Sequence, residues 1–454
     1  ADQPIRMYKS VHTGPKSQFG GVKKGLLRFE YQTGIADCVT FPAIPPIIKQ
    51  TTMEKRMATL FWFLVFIKIK SKTKIRNSEW QIAFLSCTNP LSLYPMDSEK
   101  DFIQKSELVA SGSSKWEAPS NIALVKYWGK FGAQYPQNPS LSFTLSQCVT
   151  QTLVAYKPKE NQSSKFSFDF TFEGEPTPSF HPKIEVFLER IAPYVPFVKN
   201  HHLTIESSNS FPHSSGIASS ASGMSALALG IMSIEKAGNP TMSEAYFLKK
   251  ASFLARLGSG SAARSIQGPM VSWGVSDVIE GSSDLYGTPL SSELHPVFWD
   301  YQDTILLIDK GQKKVSSTLG HNLMKNHPYA ATRFEQARTN IKDLKTILAT
   351  GDLPAFFALV ESEALTLHAL MMASKPYFIL MHPNTLQVLN KVWAYREETQ
   401  SSLCFTLDAG ANVHLLYPKS EKSTVLKFIK EELAGYCQKN QFIEDQIGNG
   451  AKKL

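Results

Sequence analysis

Residues 211–223 have the composition and spacing of a phosphate-binding segment, with five serines, two glycines and no charged side chain. The alternating run before them, residues 202–206, predicts a strand, and apolar residues at helical spacing after them (Met224, Leu227, Ile231) predict a helix. Small residues let a ligand approach the backbone, and the first turn of a helix presents unpaired N–H groups. The segment therefore predicts an anion site. The alternative is a serine-rich surface loop, and no Walker A lysine follows.

Two lysines and a tyrosine stand at the end of the first regular apolar run. The run, residues 122–128, predicts a strand, and Lys126, Tyr127 and Lys130 lie at its end. Lysine binds phosphate as a point charge, and a tyrosine hydroxyl is a further donor, so the cluster suits a phosphate or diphosphate. Taken alone, lysines at a strand end are usually only solvated, and that alternative stays open.

Two further groups combine hydroxyls with cations. Residues 258–264 have the sequence Gly-Ser-Gly-Ser-Ala-Ala-Arg, in which Arg264 offers a planar fork of donors to a carboxylate or phosphate. Residues 316–318, Ser-Ser-Thr, follow Lys313 and Lys314. For each group, a plain turn is the structural alternative.

Asp408 is the only acidic residue in these clusters that is placed to act as a general base or to stabilise positive charge. It lies in a tight turn between two apolar runs, residues 402–407 and 413–417, that predict strands. A turn aspartate usually accepts hydrogen bonds from its own backbone, which is the structural alternative. If Asp408 faces the phosphate loop instead, Lys126 and Arg264 would keep its carboxylate ionised.

The elements that must position these clusters are a mixture of strands and helices. Further strands are predicted at residues 140–145, 150–156, 166–172 and 304–308. Helices are predicted from the serine-rich segment to Gly238, from a Thr241–Glu244 capping box to Leu254, and over residues 328–348, 353–373, 385–398 and 423–436. Residues 289–296, which begin and end with proline, are predicted to link two domains.

The net charge of +9 is unevenly distributed. Residues 1–95 hold 14 Lys/Arg and 5 Asp/Glu, so the rest of the chain holds 34 of each (48 less 14, and 39 less 5). The part that carries the candidate clusters is neutral, and overall basicity therefore predicts no nucleic-acid partner. The five cysteines are far apart without a CxxC pair, so we expect free thiols in a reducing cytosol and no zinc site.

Residues 1–95 lack the regular patterning of the rest. Their one apolar run, residues 57–67, has 11 residues, and a membrane span needs about 20. Three interpretations stay open: a membrane-surface or targeting arm, a basic arm that binds a partner, or upstream sequence translated ahead of a natural start at Met96. We favour the third, in which residues 1–95 form a basic N-terminal extension that is non-native or disordered.

Taken in order, the clusters resemble the motifs of the mevalonate diphosphate decarboxylases. Residues 118–130, Ala-Pro-Ser-Asn-Ile-Ala-Leu-Val-Lys-Tyr-Trp-Gly-Lys, are similar to the family's opening motif, and residues 258–264 to a specific later one. Residues 138–142, 212–222, 315–318 and 407–410 resemble further motifs. The likeness runs from about residue 116 to the C-terminus, whereas the serine-rich segment alone indicates only the wider GHMP kinase superfamily.

This resemblance implies the two-domain α+β fold of the GHMP kinases. The N-terminal domain, expected at residues 96–295, would resemble domain 2 of ribosomal protein S5, and the C-terminal domain, expected at residues 296–454, would be ferredoxin-like. The active site would lie in the cleft between the domains. The resemblance also implies a homodimer. The cysteines predict a cytoplasmic protein, the short apolar run predicts no stable membrane insertion, and the lack of a base-reading motif predicts no nucleic-acid partner.

The activity implied is the ATP- and Mg²⁺-dependent decarboxylation of (R)-5-diphosphomevalonate. The 3-hydroxyl would be phosphorylated, and loss of phosphate and CO₂ would then give isopentenyl diphosphate, ADP, phosphate and CO₂, a step of the mevalonate pathway of isoprenoid biosynthesis. Among the matching residues, Asp408 would act on the 3-hydroxyl and Arg264 would hold the substrate carboxylate. Lys126 would lie near the reacting groups, and Ser220 would orient the γ-phosphate.

The remaining matches imply binding contacts and no protein ligand to a metal. Substrate contacts are implied for Asn121, Tyr127, Lys130, Ser259, Gly260, Ser261 and Ser317. Contacts to the phosphates of ATP are implied for Pro212, Ser215, Gly216, Ala218, Ser219, Ser220 and Ser222.

Departures from the family's motifs bear on the substrate. His213, Ser214 and Ser215 stand where Thr-Ala-Ala is expected, and Thr318 stands where some bacterial members have an arginine. They leave open a decarboxylase of mevalonate 5-phosphate or 3,5-bisphosphate that yields isopentenyl phosphate, and a mevalonate-type 3-kinase. A non-catalytic homologue would be expected to have lost the reacting residues, which are all present.

Overall fold

The computed structural model describes residues 98–104, 109–160, 166–213, 216–290, 294–311 and 317–454, with the backbone alone at residues 317 and 318. These residues belong to one compact unit, residues 89–454. The expected extension, residues 1–95, lies outside the described residues. Ser215 and the side chain of Ser317, both predicted to contact ligands, lie outside them as well.

The first sheet is built on its two longest strands, β1 and β4. Its strands are β1 (Gly112–Val125), β4 (Ser140–Pro158), β5 (Ser167–Phe172), β6 (Glu175–Pro176), β7 (His201–Asn209), β8 (Met270–Trp273) and β9 (Gly287–Pro289). β2 (Lys130–Phe131) and β3 (Tyr135–Pro136) form a separate small hairpin. The order is β1-β4-β7-β5-β6, with β8 beside β4 and β9 beside β8. All pairs are antiparallel except β5 with β7, which is parallel.

β4 contains both of the strands predicted at residues 140–145 and 150–156, and the predicted break between them is wrong. The ladder between β4 and β1 is nevertheless interrupted there, since Pro119 pairs with Val149 and Asn121 with Thr144. The N–H groups of Ser146 and Gln147 donate instead to Oδ1 of Asp445 at 2.9 and 2.8 Å. Beyond this interruption, buried residues alternate with half-buried ones, as expected for a strand with one face on the core.

Three helices cover one face of this sheet. They are α1 (His181–Ile191), α2 (Ser219–Ala237) and α3 (Glu244–Gly258). α2 lies very close to the sheet at Gly230, where a β-carbon would come within 2.5 Å of Cγ2 of Val154. The predicted capping box of α3 is wrong: Ser243 is the N-cap and accepts a hydrogen bond from the N–H of Tyr246.

The second sheet has the order β11-β12-β10-β13 and is antiparallel throughout. Its strands are β10 (Gln302–Leu306), β11 (Cys404–Thr406), β12 (Val413–Tyr417) and β13 (Phe442–Gln446). A short helix, α4 (Ser317–Leu323), comes first. It is followed by α5 (Ala330–Thr350), α6 (Leu353–Met372), α7 (Pro383–Thr399) and α8 (Lys422–Phe428), and α8 continues through a π-helical turn. The predicted helices and the predicted strand–turn–strand around Asp408 are confirmed.

The C-terminal residues connect the two sheets. β13 pairs with β10 of the second sheet, and β14 (Lys452–Lys453) then pairs with β1 of the first. One apolar core also runs between the sheets, with Phe143 of β4, Ile305 of β10 and Phe356 of α6 all buried in it. The ends of β1 and β11 are thereby held together. The mixture of sheets and helices confirms the α+β class, while the predicted domain boundaries stay a prediction.

Among the described residues, α6 is the one helix that is long and apolar enough to cross a membrane. The mean hydropathy of its most apolar window is 1.3, and half of that window is buried inside the protein. α6 carries two buried glutamates, Glu361 and Glu363, each of which is paired with an arginine. In this fold it packs against α5, β1 and β11 as a core helix.

Candidate active site

A cavity of about 630 Å³ lies among the end of β1, the start of α2, the turn after α3 and the β11–β12 turn. Most of the predicted site residues line it: Asn121, Lys126, Tyr127, Lys130, Gly216, Ala218, Ser219, Ser220, Ser259, Gly260, Ser261, Arg264 and Asp408. They come from segments up to 287 residues apart in the chain (Asn121 to Asp408). The fold therefore brings together four clusters that the sequence shows separately.

Lys126 and Asp408 form an ion pair at the bottom of this cavity. The distance from Nζ of Lys126 to Oδ1 of Asp408 is 3.1 Å, and the two side chains are 2% and 24% exposed. Nζ also donates to the carbonyl oxygen of Ala123 at 2.6 Å. The pair directs the carboxylate of Asp408 towards the cavity, as the functional prediction for this turn requires.

Burial and neighbouring charges act against each other on Lys126. Burial lowers the pKa of its ammonium group, and the carboxylates of Asp408 and Glu363 oppose that shift. The guanidinium of Arg264 lowers the pKa further. The two carboxylates are therefore what maintains a cation at this desolvated position.

Arg264 is a second buried cation on the wall of the cavity. It ends the short 3₁₀ turn Gly260–Arg264, is 2% exposed, and donates from Nη1 to the hydroxyl of Ser140. Nε lies 3.4 Å from Oδ1 of Asn121. Burial lowers the pKa of Arg264 to about 10, against the opposing effect of Asp408, so the side chain is charged at neutral pH. Asn121 thus orients Arg264 as well as lining the cavity.

The start of α2 supplies the predicted anion site. Ala218 adopts a left-handed conformation with φ of 42°, and α2 begins at Ser219, so the first-turn N–H groups are next to the cavity. The hydroxyl of Ser220 lies 3.2 Å from that of Ser259, which joins the two serine-containing turns. This arrangement suits a phosphate group.

Ser222 and Pro212 are not among the residues that line the cavity. The hydroxyl of Ser222 is buried and lies 2.6 Å from that of Thr150 on β4. The helix has already begun at Ser219, and its period turns Ser222 towards the sheet. This placement does not support the predicted phosphate contact of Ser222, which instead fastens the first turn of α2 to β4.

Tyr127 presents a hydroxyl that has no hydrogen-bond partner among the described residues. Its ring packs edge-on against Trp273, with the centroids 4.7 Å apart, and lies 4.2 Å from the ring of His321. Burial raises the pKa of the phenol, so it remains a neutral donor. A buried donor without a partner is costly, and a ligand oxygen would satisfy it.

Sequence reasoning missed several residues of the cavity, including His321 on α4 and Lys183 on α1. Nδ1 of His321 accepts the N–H of Gly129 at 2.9 Å, and burial lowers the pKa of this histidine to about 3. His321 is therefore neutral and helps to hold the turn between Tyr127 and Lys130. A single histidine or lysine on a short helix has no spacing that would have marked it.

A smaller apolar cavity adjoins the anion site. Phe170 and Phe172 of β5 and Phe180, just before α1, line it. Met224 of α2 and the polar residues Ser207 and Asn209 of β7 complete the lining. Lys183, His213, Ser219 and Ser220 line both cavities. The His213 ring packs against the rings of Phe172 and Phe180, at centroid distances of 5.3 and 5.2 Å. The start of α2 therefore lies between an apolar pocket and a polar one.

Two family models match this chain. Residues 118–284 match the diphosphomevalonate decarboxylase-like N-terminal domain, and residues 304–453 match the mevalonate 5-diphosphate decarboxylase C-terminal domain. Diphosphomevalonate decarboxylase of Candida albicans is 27% identical over 330 residues, which are 70% of this chain and 87% of that protein. Phosphomevalonate decarboxylase of Haloferax volcanii is 28% identical over 295 residues, 64% of this chain and 84% of that protein.

Solved structures show the same fold. The mevalonate diphosphate decarboxylase from Enterococcus faecalis has been solved in complex with MVAPP, AMPPCP and magnesium. That structure covers 76% of this chain and 99% of its own, with a TM-score of 0.64 and 28% identity. The fold and the cleft thus define the class of GHMP kinase-type enzymes. Within that class, the chain belongs to the diphosphomevalonate decarboxylase family, and the resemblance noted in its motifs is confirmed.

Proposed function

We propose that the protein decarboxylates (R)-5-diphosphomevalonate in an ATP-dependent reaction that yields isopentenyl diphosphate. The observation that carries the proposal is the convergence of Asp408, Lys126 and Arg264 on one cavity that also contains a helix N-terminus lined with serines. A carboxylate, two buried cations and an anion site are the groups needed to phosphorylate an alcohol and then release CO₂.

ATP would lie across the start of α2. Its base would occupy the apolar pocket lined by Phe170, Phe172 and Phe180, which the side chain of Asn209 also lines. Its phosphates would extend past Ser219 and Ser220 towards Asp408. The complex of the Enterococcus faecalis relative with AMPPCP and the residues shared by the two cavities support this path.

Mg²⁺ would enter with the nucleotide. The described residues include no group of three His, Cys, Asp or Glu side chains arranged to hold a metal. Mg²⁺ commonly binds through substrate phosphates, waters and one or two protein oxygens. The hydroxyls of Ser219 and Ser220 are the protein oxygens at hand beside the phosphates, and the metal would offset the negative charge of those phosphates.

The substrate would bind with its diphosphate towards Tyr127 and Lys130 and its carboxylate towards Arg264. The unpartnered hydroxyl of Tyr127 and the half-buried ammonium of Lys130 are donors suited to the diphosphate. The guanidinium of Arg264 is fixed by Ser140 and Asn121, so its free donors are preorganised for a carboxylate. This orientation places the tertiary 3-hydroxyl next to Asp408.

Phosphoryl transfer then depends on position and charge. The carboxylate of Asp408 accepts the proton of the 3-hydroxyl, and Lys126 holds that carboxylate in place through its 3.1 Å contact. Ser220 orients the γ-phosphate for in-line attack. A tertiary alcohol is a weak nucleophile, so alignment of this kind must supply most of the rate.

In the second step the C3–O bond to phosphate breaks, and the electron pair of the C–CO₂ bond forms the alkene as CO₂ leaves. Positive charge grows at C3 during this step, and the Asp408 carboxylate stabilises it. Arg264 keeps the departing carboxylate aligned with the breaking bond. Phosphate, ADP and CO₂ leave with isopentenyl diphosphate, so the atoms balance.

The test is product analysis with purified protein, ATP and Mg²⁺, and with mevalonate 5-diphosphate and 5-phosphate supplied separately. Isopentenyl diphosphate formed from the diphosphate alone, and lost in Asp408→Asn, supports the proposal. Isopentenyl phosphate formed from the monophosphate would instead assign to the protein the phosphomevalonate decarboxylase activity named for the Haloferax volcanii relative. A 3-phosphorylated product without CO₂ would make it a kinase and remove the role of Arg264.

A homodimer located in the cytoplasm, without membrane insertion, stays part of this proposal. Multi-angle light scattering of the purified protein would show a mass of about twice 50.6 kDa for the dimer. A monomeric mass at micromolar concentration would contradict that part and leave the chemistry untouched.

A further inference from the structure

Helix α6 contacts both members of the Lys126–Asp408 pair. Oε2 of Glu363 accepts the backbone N–H of Lys126 at 2.9 Å. Five residues later, Nε2 of His368 lies 3.1 Å from the backbone carbonyl oxygen of Asp408. Because a carbonyl oxygen only accepts hydrogen bonds, Nε2 carries the proton and donates it. Glu363 and His368 are 0% and 1% exposed, so water does not compete for these contacts.

Arg333 of α5 completes the contact with Lys126. Its Nη1 and Nη2 donate to Oε1 and Oε2 of Glu363 at 2.8 and 2.6 Å. Nη2 also donates to the carbonyl oxygen of Lys126 at 3.1 Å. The N–H and the C=O of Lys126 are therefore both held by one buried, forked ion pair. A forked arginine–carboxylate pair fixes direction as well as distance.

We propose that Glu363 and His368 are positioning residues, and that α6 sets the distance between Lys126 and Asp408. The two catalytic residues belong to different sheets, Lys126 at the end of β1 and Asp408 after β11. No single strand can fix the spacing between them, whereas one rigid helix that contacts both can. The inference rests on the proposed function, since it assigns a kinetic role to the pair that performs it.

A purely structural role is the competing explanation, and the same helix supplies its control. Glu361, two residues before Glu363, is also buried and accepts from Nη1 and Nη2 of Arg396 at 2.6 and 3.1 Å. It also accepts a backbone N–H, that of Phe405 at 3.4 Å. Neither Lys126 nor Asp408 is among these partners. Glu361→Gln therefore weakens a comparable buried ion pair of α6 without removing a direct contact to Lys126 or Asp408.

The charge of Glu363 gives a readout that packing alone would not change. Burial lowers the pKa of Lys126, and both Asp408 and Glu363 raise it. The charged and titratable groups that face or surround Lys126 are Asp408, Glu363, Arg264, Arg333, His368 and Asp303. Removing the charge of Glu363 takes away an upward contribution, so Lys126 would lose its proton at lower pH. As pH rises, activity that requires the ammonium form of Lys126 would then begin to decline at a lower pH than in wild type.

The experiment compares wild type, Glu363→Gln and Glu361→Gln for CO₂ release, for KM of both substrates, and for thermal unfolding. For Glu363→Gln we expect kcat to fall roughly 10- to 100-fold, as for misplaced reacting groups, with KM changed less than about threefold. Its alkaline limb of kcat should lie at lower pH than in wild type. The Tm of Glu361→Gln should fall by a comparable amount, whereas its kcat and the pH dependence of kcat should equal those of wild type. Equal kcat losses in the two variants, or an unmoved limb, would overturn the proposal.

Arg333→Lys keeps the inference testable if Glu363→Gln does not fold. Lysine keeps a positive charge beside Glu363 but lacks the fork that also reaches the carbonyl of Lys126. We expect kcat to fall about tenfold with nucleotide affinity, measured by calorimetry with a non-hydrolysable ATP analogue, unchanged. Unchanged kcat in this variant would overturn the proposal.

Wild-type protein separates this inference from the proposed function. If wild type releases no CO₂ from either mevalonate ester, the function fails. If it does and Glu363→Gln behaves like Glu361→Gln, only the positioning role fails.

Discussion

Two buried lysines, Lys126 at the cavity and Lys250 behind it, each pair with a carboxylate. Lys126 and Asp408 are 3.1 Å apart, with side chains 2% and 24% exposed. Lys250 of α3 and Glu235 of α2 are 2.5 Å apart and only 0% and 1% exposed. Burial lowers the pKa of both lysines, and each carboxylate opposes the shift. By the burial and pKa shift of their lysines alone, the two pairs are alike.

The difference between the pairs is access. Asp408 borders a cavity with a second cation, Arg264, and an anion site. Glu235 is enclosed between two packed helices, and burial raises its pKa. A perturbed lysine therefore identifies a functional site here only where its partner opens onto a space that holds complementary groups. Variants of the two pairs should therefore differ in their effects on activity and on stability, which tests this conclusion.

The largest effect is expected for Lys126→Met. Removing this cation should lower kcat about 10²- to 10³-fold, because charge that stabilises the transition state is lost. Asp408 would remain hydrated from the cavity, so the free energy of unfolding should change little. Steady-state CO₂ release and urea unfolding measure the two quantities. A variant that kept its kcat would remove Lys126 from the catalytic set.

Lys250→Met should show the opposite pattern. Glu235 would be left buried without its partner, which costs about 3–5 kcal/mol of unfolding free energy. The kcat of the folded fraction should equal that of wild type. In the double variant Lys250→Met, Glu235→Leu, most of the stability should return, since a buried pair can often be replaced by apolar residues. A fall in kcat for the folded single variant would show that this pair, too, acts on catalysis.

A smaller effect is expected from acid. Burial lowers the pKa of His321 to about 3 and that of His368 to about 4, far below the ordinary value of 6.5. Below pH 6.5 the unfolded chain binds protons that the native state does not, so stability is lost as pH falls towards 4. At pH 5.5 each histidine should cost about 1.4 kcal/mol relative to pH 7.5. In urea unfolding, the free energy of unfolding of His321→Gln should depend less on pH over this range than that of wild type. An unchanged pH dependence would assign the titration to other groups.

The smallest effect is expected for Tyr127→Phe. The hydroxyl has no partner among the described residues, so its loss should leave Tm unchanged or higher. If it binds the substrate, KM should rise about 3- to 10-fold with little change in kcat. Tyr301→Phe is the matched control, because that hydroxyl is also buried and unpartnered among the described residues but lies outside the cavity. Equal KM values for the two variants would contradict the substrate contact.

The sequence predicted the clusters of the site because each one is local. Lys126 at a strand end, Arg264 after small residues and Asp408 in a turn can each be recognised within about ten residues, and their order matched a family. The predicted phosphate contact of Ser222, which its placement does not support, depended on where α2 begins. A start at Ser219 turns position 222 towards Thr150 and leaves Ser219 and Ser220 at the cavity. Helix boundaries are the least certain feature of any sequence pattern.

Long-range partners could not be predicted from the sequence. Glu363 is a polar residue in an apolar helix, and nothing near it in the chain indicates that it binds the backbone of Lys126, 237 residues away. β13 and β14 were missed for the same reason: each is short and is stabilised by pairing with a strand far away in the chain. Such contacts depend on tertiary packing, for which a single sequence has no local pattern.

The close seating of α2 at Gly230 has a consequence for anyone who changes this enzyme. Gly230 lies eleven residues after Ser219, about 16 Å along the helix. A single added methyl group there would meet Cγ2 of Val154 at 2.5 Å, so either the valine or α2, which carries the cavity serines in its first turn, must shift. A random-mutagenesis screen for lost activity should therefore recover substitutions at Gly230, which does not line the cavity.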